Sequence, residues 1–181
     1  EANDRELHIE GYNDIAIEWI DTSRHPAKER YEKEFDNGGK KSYQNYLERN
    51  IIEKKLLELD SKLNKKTKIA VITGYSPQKY ILQTMVKQHF FQHLEIDVDT
   101  VDAFQGSQKD IIIYSTVRSS ANPYGIGFLK SEARINVAFS RARCLLIIVG
   151  DMEFLDNYKI RGNMFPEIIK YITDSEGCRI F

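Results

Sequence analysis

Two arginines, Arg134 and Arg141, stand in the run Arg-Ile-Asn-Val-Ala-Phe-Ser-Arg-Ala-Arg (134–143), which leads directly into the apolar stretch Cys144 to Gly150. On a helix, positions three, four and seven apart stack above one another. Arg134, Ala138 and Arg141 then share one face, and Ile135, Phe139 and Ala142 share another. A guanidinium is permanently charged, planar and rich in donors, so an arginine held rigidly beside a sheet is suited to gripping phosphate oxygens. A surface helix with solvated arginines has the same pattern, and the surroundings must decide between the two.

Those surroundings hold a second chemical feature. Gln105 and Gly106 stand together in the stretch Thr100 to Asp110, an amide that both donates and accepts beside a residue that lets backbone approach a ligand. Lys109 follows, and Arg118 lies at the far end of the next apolar run. Gly38-Gly39-Lys40-Lys41-Ser42 has the look of a phosphate-binding loop but lacks its spacing. Glu34 stands where the first glycine belongs, Lys rather than Ser or Thr follows Lys40, and no apolar strand leads in.

The whole chain narrows the choice. Its 181 residues, 41% hydrophobic and 11% aromatic, suffice for one sizeable core. With 27 acids against 26 Lys and Arg, the net charge of -1 gives no global basic field, so any polyanion site must be local. Cys144 and Cys178 make neither a disulfide framework nor a metal cluster, and no metal-ligating set is expected. They suit a protein of the reducing cytoplasm, or of the nucleus if the source is eukaryotic. No apolar run approaches the roughly 20 residues of a membrane span, and the polar start Glu1 to Glu6 is no signal peptide. A first residue other than Met is what an excised fragment would show.

The elements that would position these residues read as alternating strands and helices. Tyr12 to Asp21 is expected as a strand and Thr22 to Lys41, charged and without periodicity, as a long surface loop. In Tyr43 to Leu63, the apolar residues Ile52, Leu56, Leu59 and Leu63 mark an amphipathic helix that Ser42 can cap. Lys68 to Thr73 reads as an inner parallel strand. Gly74-Tyr75-Ser76-Pro77 then turns the chain into a helix reaching about Phe90, with Ser76 as N-cap. Further strands are expected at Ile96 to Thr100, Asp110 to Val117, Cys144 to Gly150 and Cys178 to Phe181. Short helices are expected after Asp151 and over Met164 to Ile172. This alternation implies a parallel sheet covered on both faces. The loops leaving its carboxyl ends, Thr73 to Gln78, Thr100 to Asp110 and Arg118 onward, are the expected functional ones.

Several of these residues together resemble motifs V and VI of superfamily 1 helicases. They are Val101-Asp102-Ala103-Phe104-Gln105-Gly106, Lys109-Asp110, Ser115-Thr116-Val117-Arg118, Gly125-Ile126-Gly127-Phe128-Leu129 and Arg134 to Arg143. Ser42-Tyr43-Gln44-Asn45 with Glu48, and Ile72-Thr73-Gly74-Tyr75 with Gln78, resemble earlier landmarks of the same domain. Within the superfamily the likeness is to the branch of the RNA-surveillance helicase of nonsense-mediated decay. It runs in order from about Ser42 to Gly150.

The resemblance implies an α/β, RecA-like fold of the P-loop NTPase type, three layers with a mostly parallel sheet and no P-loop of its own. Residues 1–41 would be an N-terminal strand and surface loop, and residues 42–181 the C-terminal motor half, in one globular domain. Such helicases clamp ATP between two RecA-like domains. The first of them, absent here, would carry the phosphate loop, its lysine and the acidic ligand of Mg2+. Arg141 would be the arginine finger, and Gln105, Gly106 and Gln108 would face the nucleotide. Thr73, Tyr75, Thr100 and Arg118 would lie where single-stranded DNA or RNA is gripped. Gln108 stands where the family usually has Glu, and Gly74 where it often has Pro, a change expected to alter loop stiffness only. Bracing alternatives stay open: Asn45 and Glu48 at a helix start, Tyr75 as a core-edge ring, Arg134 in a salt bridge. A reading of another class is a nucleotide-gated or degenerate RecA-like interaction module that no longer drives strand movement.

Overall fold

A computed structural model describes residues 7–104, 108–122, 125–157 and 159–181. In chain order the elements are β1 (Ile17–Asp21), the single-turn α1 (Ala27–Arg30), β2 (Lys33–Asn37), β3 (Lys40–Gln44), α2 (Tyr46–Lys62), β4 (Thr67–Thr73), α3 (Ser76–Lys87), β5 (Leu94–Thr100) and β6 (Lys109–Ser115). A 3-10 turn (Gly127–Lys130) follows, then α4 (Glu132–Phe139), β7 (Ala142–Gly150), α5 (Met152–Leu155), α6 (Phe165–Asp174) and β8 (Cys178–Ile180).

Six strands form one parallel sheet in the order β5-β4-β6-β7-β1-β8. Near-continuous apolar runs make the inner strands because both sheet faces are covered, and Ile69 to Thr73 are all buried. Alternation divides β6 between two cores. Ile111 and Ile113 pack with Ile52, Leu56, Leu59, Leu82 and Met85 of α2 and α3. Ile112 and Tyr114 face the opposite side, with Trp19, Ile135, Ala138, Phe165 and Ile169. Trp19 is fully buried, donates from Nε1 to the carbonyl of Gly150 at 3.0 Å and meets Phe165 edge to face. This is the expected RecA-like α/β architecture. No helix among the described residues is long and apolar enough to cross a membrane.

Four local expectations need correction. The stretch expected as a surface loop, Thr22 to Lys41, holds α1 and most of an antiparallel hairpin of β2 and β3. Its turn is Gly38-Gly39, with φ +64° and +84°, the left-handed pair that a two-residue hairpin turn requires. Lys40 therefore opens a strand and not a phosphate-binding helix. Asn45, not Ser42, caps α2, its side chain accepting from the N–H of Glu48 at 3.1 Å. Tyr75, not Ser76, stands at the N-cap of α3, which ends at Lys87. The arginine helix stops at Phe139, because Ala142 is already paired with Lys109 in the sheet. Arg141 lies in the connecting turn and Arg143 on a strand.

Candidate functional site

The described residues singled out from the sequence lie at or beside the ends of the strands. Thr73 and Thr100 end adjacent strands in register, and the N–H of Val101 donates to the carbonyl of Thr73 at 2.9 Å. Thr73 is buried and its hydroxyl has no partner among the described residues, whereas Thr100 is half-buried. Tyr75 follows at the start of α3 and Arg118 just beyond β6. Tyr75 and Arg118 line a cavity of about 950 Å3 together with Phe35, Asp36, Lys40, Lys41, Ser42, Tyr43, Gly74, Ser76, Pro77, Gly127 and Phe128.

Arg118 is held from several sides. Its guanidinium pairs with Glu32 at 3.1 Å and lies 3.9 Å above the ring centroid of Tyr43, and the residue is only 5% exposed. Burial pushes the Glu32 carboxyl up despite this arginine. Tyr75 is 7% exposed, its ring edge-on to Tyr43 and its hydroxyl accepting from the N–H of Phe128 at 3.3 Å. It occupies the place of a core-edge aromatic, with no open face for a base. A Cβ at Gly74 would collide with the Phe128 ring, so this residue governs packing as well as loop stiffness.

Beneath this wall lies a buried polar knot that fixes the backbone before Arg118. Val117 has φ +68°, a left-handed conformation that a β-branched residue adopts only under constraint. Its N–H donates to Glu48 at 3.0 Å, and its carbonyl accepts from Asn45 Nδ2 at 3.1 Å. Glu48 is fully buried and also accepts from Ser115 Oγ at 2.5 Å and Thr116 Oγ1 at 3.2 Å. Gln78 joins the backbone of Asn45 to Ser115 Oγ. Burial pushes the Glu48 carboxyl up to about 8, against the lowering effect of the bonds it accepts. Asn45 and Glu48 therefore brace the helix start.

Arg141 itself lies at the opposite end of β6 from Arg118. The carbonyl of Arg141 accepts from the N–H of Lys109, the first residue of β6, at 3.0 Å. Arg141 is thus one strand length, roughly 20 Å, from Arg118 in the strand direction. Thr73, Thr100 and Arg118 stand at or just beyond the carboxyl ends of their strands, whereas Arg141 precedes the start of β7. The Nε of Arg141 is buried with no hydrogen-bond partner among the described residues. The residue lines a cavity of about 500 Å3 with Val101, Asp102, Phe104, Ala133, Arg134 and Val137. In that cavity Arg134 grips Asp102 through two bonds of 2.9 and 3.0 Å and stacks over Phe128, the salt-bridge alternative anticipated for it. Gln108 is exposed just before β6. Gln105 and Gly106 lie outside the described residues.

Glu32, Tyr43 and Phe128 were not legible as members of the arginine setting. Glu32 stood in a stretch that reads as loop, and the aromatics carry no signal of the distant partner they meet.

A six-stranded parallel sheet with helices packed on both faces is a RecA-like α/β arrangement. Residues 4–153 match the family described as an AAA domain, and the chain belongs to that family. Helicase sen1 of Schizosaccharomyces pombe is 40% identical over 118 residues, which are 61% of this chain and 7% of that protein. A regulator of nonsense transcripts 1 homolog from Neurospora crassa is 40% identical over 123 residues, 66% of this chain and 11% of that protein. An uncharacterised ATP-dependent helicase of Methanocaldococcus jannaschii is 34% identical over 165 residues, 91% of this chain and 21% of that protein. The resemblance to the second RecA-like half of superfamily 1 helicases, in the RNA-surveillance branch, is borne out. The chain spans only about a fifth or less of the length of these relatives.

Proposed function

We propose that this chain is the C-terminal motor half of an ATP-dependent helicase or translocase acting on single-stranded DNA or RNA. The observation that carries the reading is the setting of Arg141: a short turn tied to β6, a buried Nε with no partner among the described residues, and a cavity wall where Asp102 engages the neighbouring Arg134. Arg141 is left to meet an anion from outside the chain. As an arginine finger it adds charge to the γ-phosphate oxygens in the transition state, an effect worth about 10³ to 10⁵ in rate. Gln105, Gly106 and Gln108 would contact the nucleotide, with Gln108 keeping an acceptor but no charge.

The first RecA-like half of the same protein would supply the phosphate loop and the ligands of Mg2+. Closing of the two halves completes the ATP site around Arg141, and reopening shifts the strand contacts near Thr73, Thr100 and Arg118. That cycle is inchworm-like. The cavity beside Arg141 extends to Val101, whose N–H donates to Thr73, so one domain would reach nucleotide and nucleic acid at once.

ATP turnover tests the division of labour. The isolated chain is expected to hydrolyse ATP negligibly, and the full-length protein to be stimulated by single-stranded DNA or RNA. A full-length protein that binds strands but shows no stimulated turnover would leave the interaction-module reading, which the uncharged Gln108 favours.

A further inference from the structure

The hairpin of β2 and β3 has no role in the site as anticipated from the sequence, yet it forms a whole side of the cavity beside Arg118. Its register pairs Phe35 with Ser42, and because side chains alternate, Phe35, Lys40 and Ser42 share one face. All three line the cavity, as does Lys41. Phe35 is 41% exposed, whereas Tyr75 is enclosed. Lys40 is exposed and has no ion pair among the described residues, while Lys41 is drawn to Glu34 at 2.9 Å. The cavity's own acid, Asp36, is committed to the turn, accepting from the N–H of Gly39 at 2.7 Å.

The opposite side is formed by the start of α3. That helix of 12 residues has no side-chain cap and no acidic residue in its first turn, so its free N–H groups and positive dipole end meet no carboxylate of their own. Between the two sides Arg118, 95% buried, leaves Nε without a partner among the described residues. An exposed ring, two lysines, a hydroxyl and an uncapped helix end around a partly unsatisfied arginine match a flexible polyanion whose flat bases can stack. A folded acidic peptide would leave the ring unused.

We propose that the hairpin is a nucleic-acid-binding element: Phe35 stacks on a base of the bound single strand while Lys40 and Lys41 hold flanking phosphates against the start of α3. This rests on the motor-half reading but adds residues outside the helicase-like motifs.

The test is strand binding by the full-length protein, measured between about 50 and 200 mM salt with oligo(dT) and oligo(rU). Phe35→Ala is expected to weaken binding about tenfold with the salt slope unchanged, and Phe35→Trp to restore it. Lys40→Ala combined with Lys41→Ala is expected to make the slope shallower by about 0.7 for each phosphate that the lysines no longer neutralise. A strand carrying 2-aminopurine reports the stacked base, and its quenching should vanish in Phe35→Ala. Wild-type binding with hairpin variants unchanged in affinity, slope and quenching would overturn the hairpin proposal and leave the motor reading standing. Absence of strand binding by the wild type would remove both.

Discussion

Glu48 carries an unusual charge state for a carboxyl. Burial lifts it from an ordinary value near 4.5 to about 8, so the folded protein holds a proton there that the unfolded chain has released. Native proton uptake exceeds unfolded uptake between those two values, and stability from this group is full below about 4.5 and falls as pH rises to about 8. When protonated, the carboxyl can donate to Thr116 Oγ1 while its other oxygen still accepts from Ser115 and Val117. Glu48→Gln keeps that shape and removes the titration. The thermal midpoint of the wild type is therefore expected to fall relative to Glu48→Gln from about pH 5 to pH 8, and parallel curves would contradict the assignment. Pairing Asn45 with Glu48 as a helix brace was legible because both stand at one helix start. Their bonds to Val117, some seventy residues away, left no trace in sequence spacing.

Among the elements, α2 does more than cover the sheet, because its capping residue also ties two loops. Asn45 accepts from the N–H of Glu48 and donates through Nδ2 to the carbonyls of Arg30 and Val117. Asn45→Ala loses a cap, worth about 1 kcal/mol, and leaves buried carbonyls short of a donor at roughly 1 to 3 kcal/mol. A destabilisation of about 2 to 4 kcal/mol in urea unfolding is expected, and Asn45→Asp should lose at least as much, since it keeps the cap acceptor but sets a buried carboxylate oxygen against the carbonyls of Arg30 and Val117. A loss below about 0.5 kcal/mol for Asn45→Ala would show that the loops hold without it. Inner strands such as Lys68 to Thr73 were legible because two-sided burial writes an unbroken apolar run. The hairpin was not, because its strands, Lys-Glu-Phe-Asp-Asn and Lys-Lys-Ser-Tyr-Gln, carry charge on both faces and pack mainly through Tyr43 and Gln44. Arg141 left its expected helix for a similar reason: pairing with Lys109 at the start of β6 overrides helical periodicity.

For the whole molecule, the turn of Arg141 meets the first residue of β6 and Arg118 follows its last, while the cavity beside Arg141 reaches up to Val101 and Asp102 at the carboxyl ends of the strands. Arg141 and the Asp102–Arg134 pair stand by one cavity, and Arg118, Tyr75 and the hairpin surround the other. Phe128 touches both groups, stacking under Arg134 and packing against Tyr75. The proposed finger role makes a definite demand on kinetics: loss of the Arg141 guanidinium should abolish chemistry without loosening the strand. The direct measurement is strand-stimulated kcat of the full-length protein carrying Arg141→Ala, read beside its strand affinity. The account predicts a fall in kcat of about 10³-fold or more with strand affinity within about twofold of wild type. Stimulated turnover equal to wild type would contradict it.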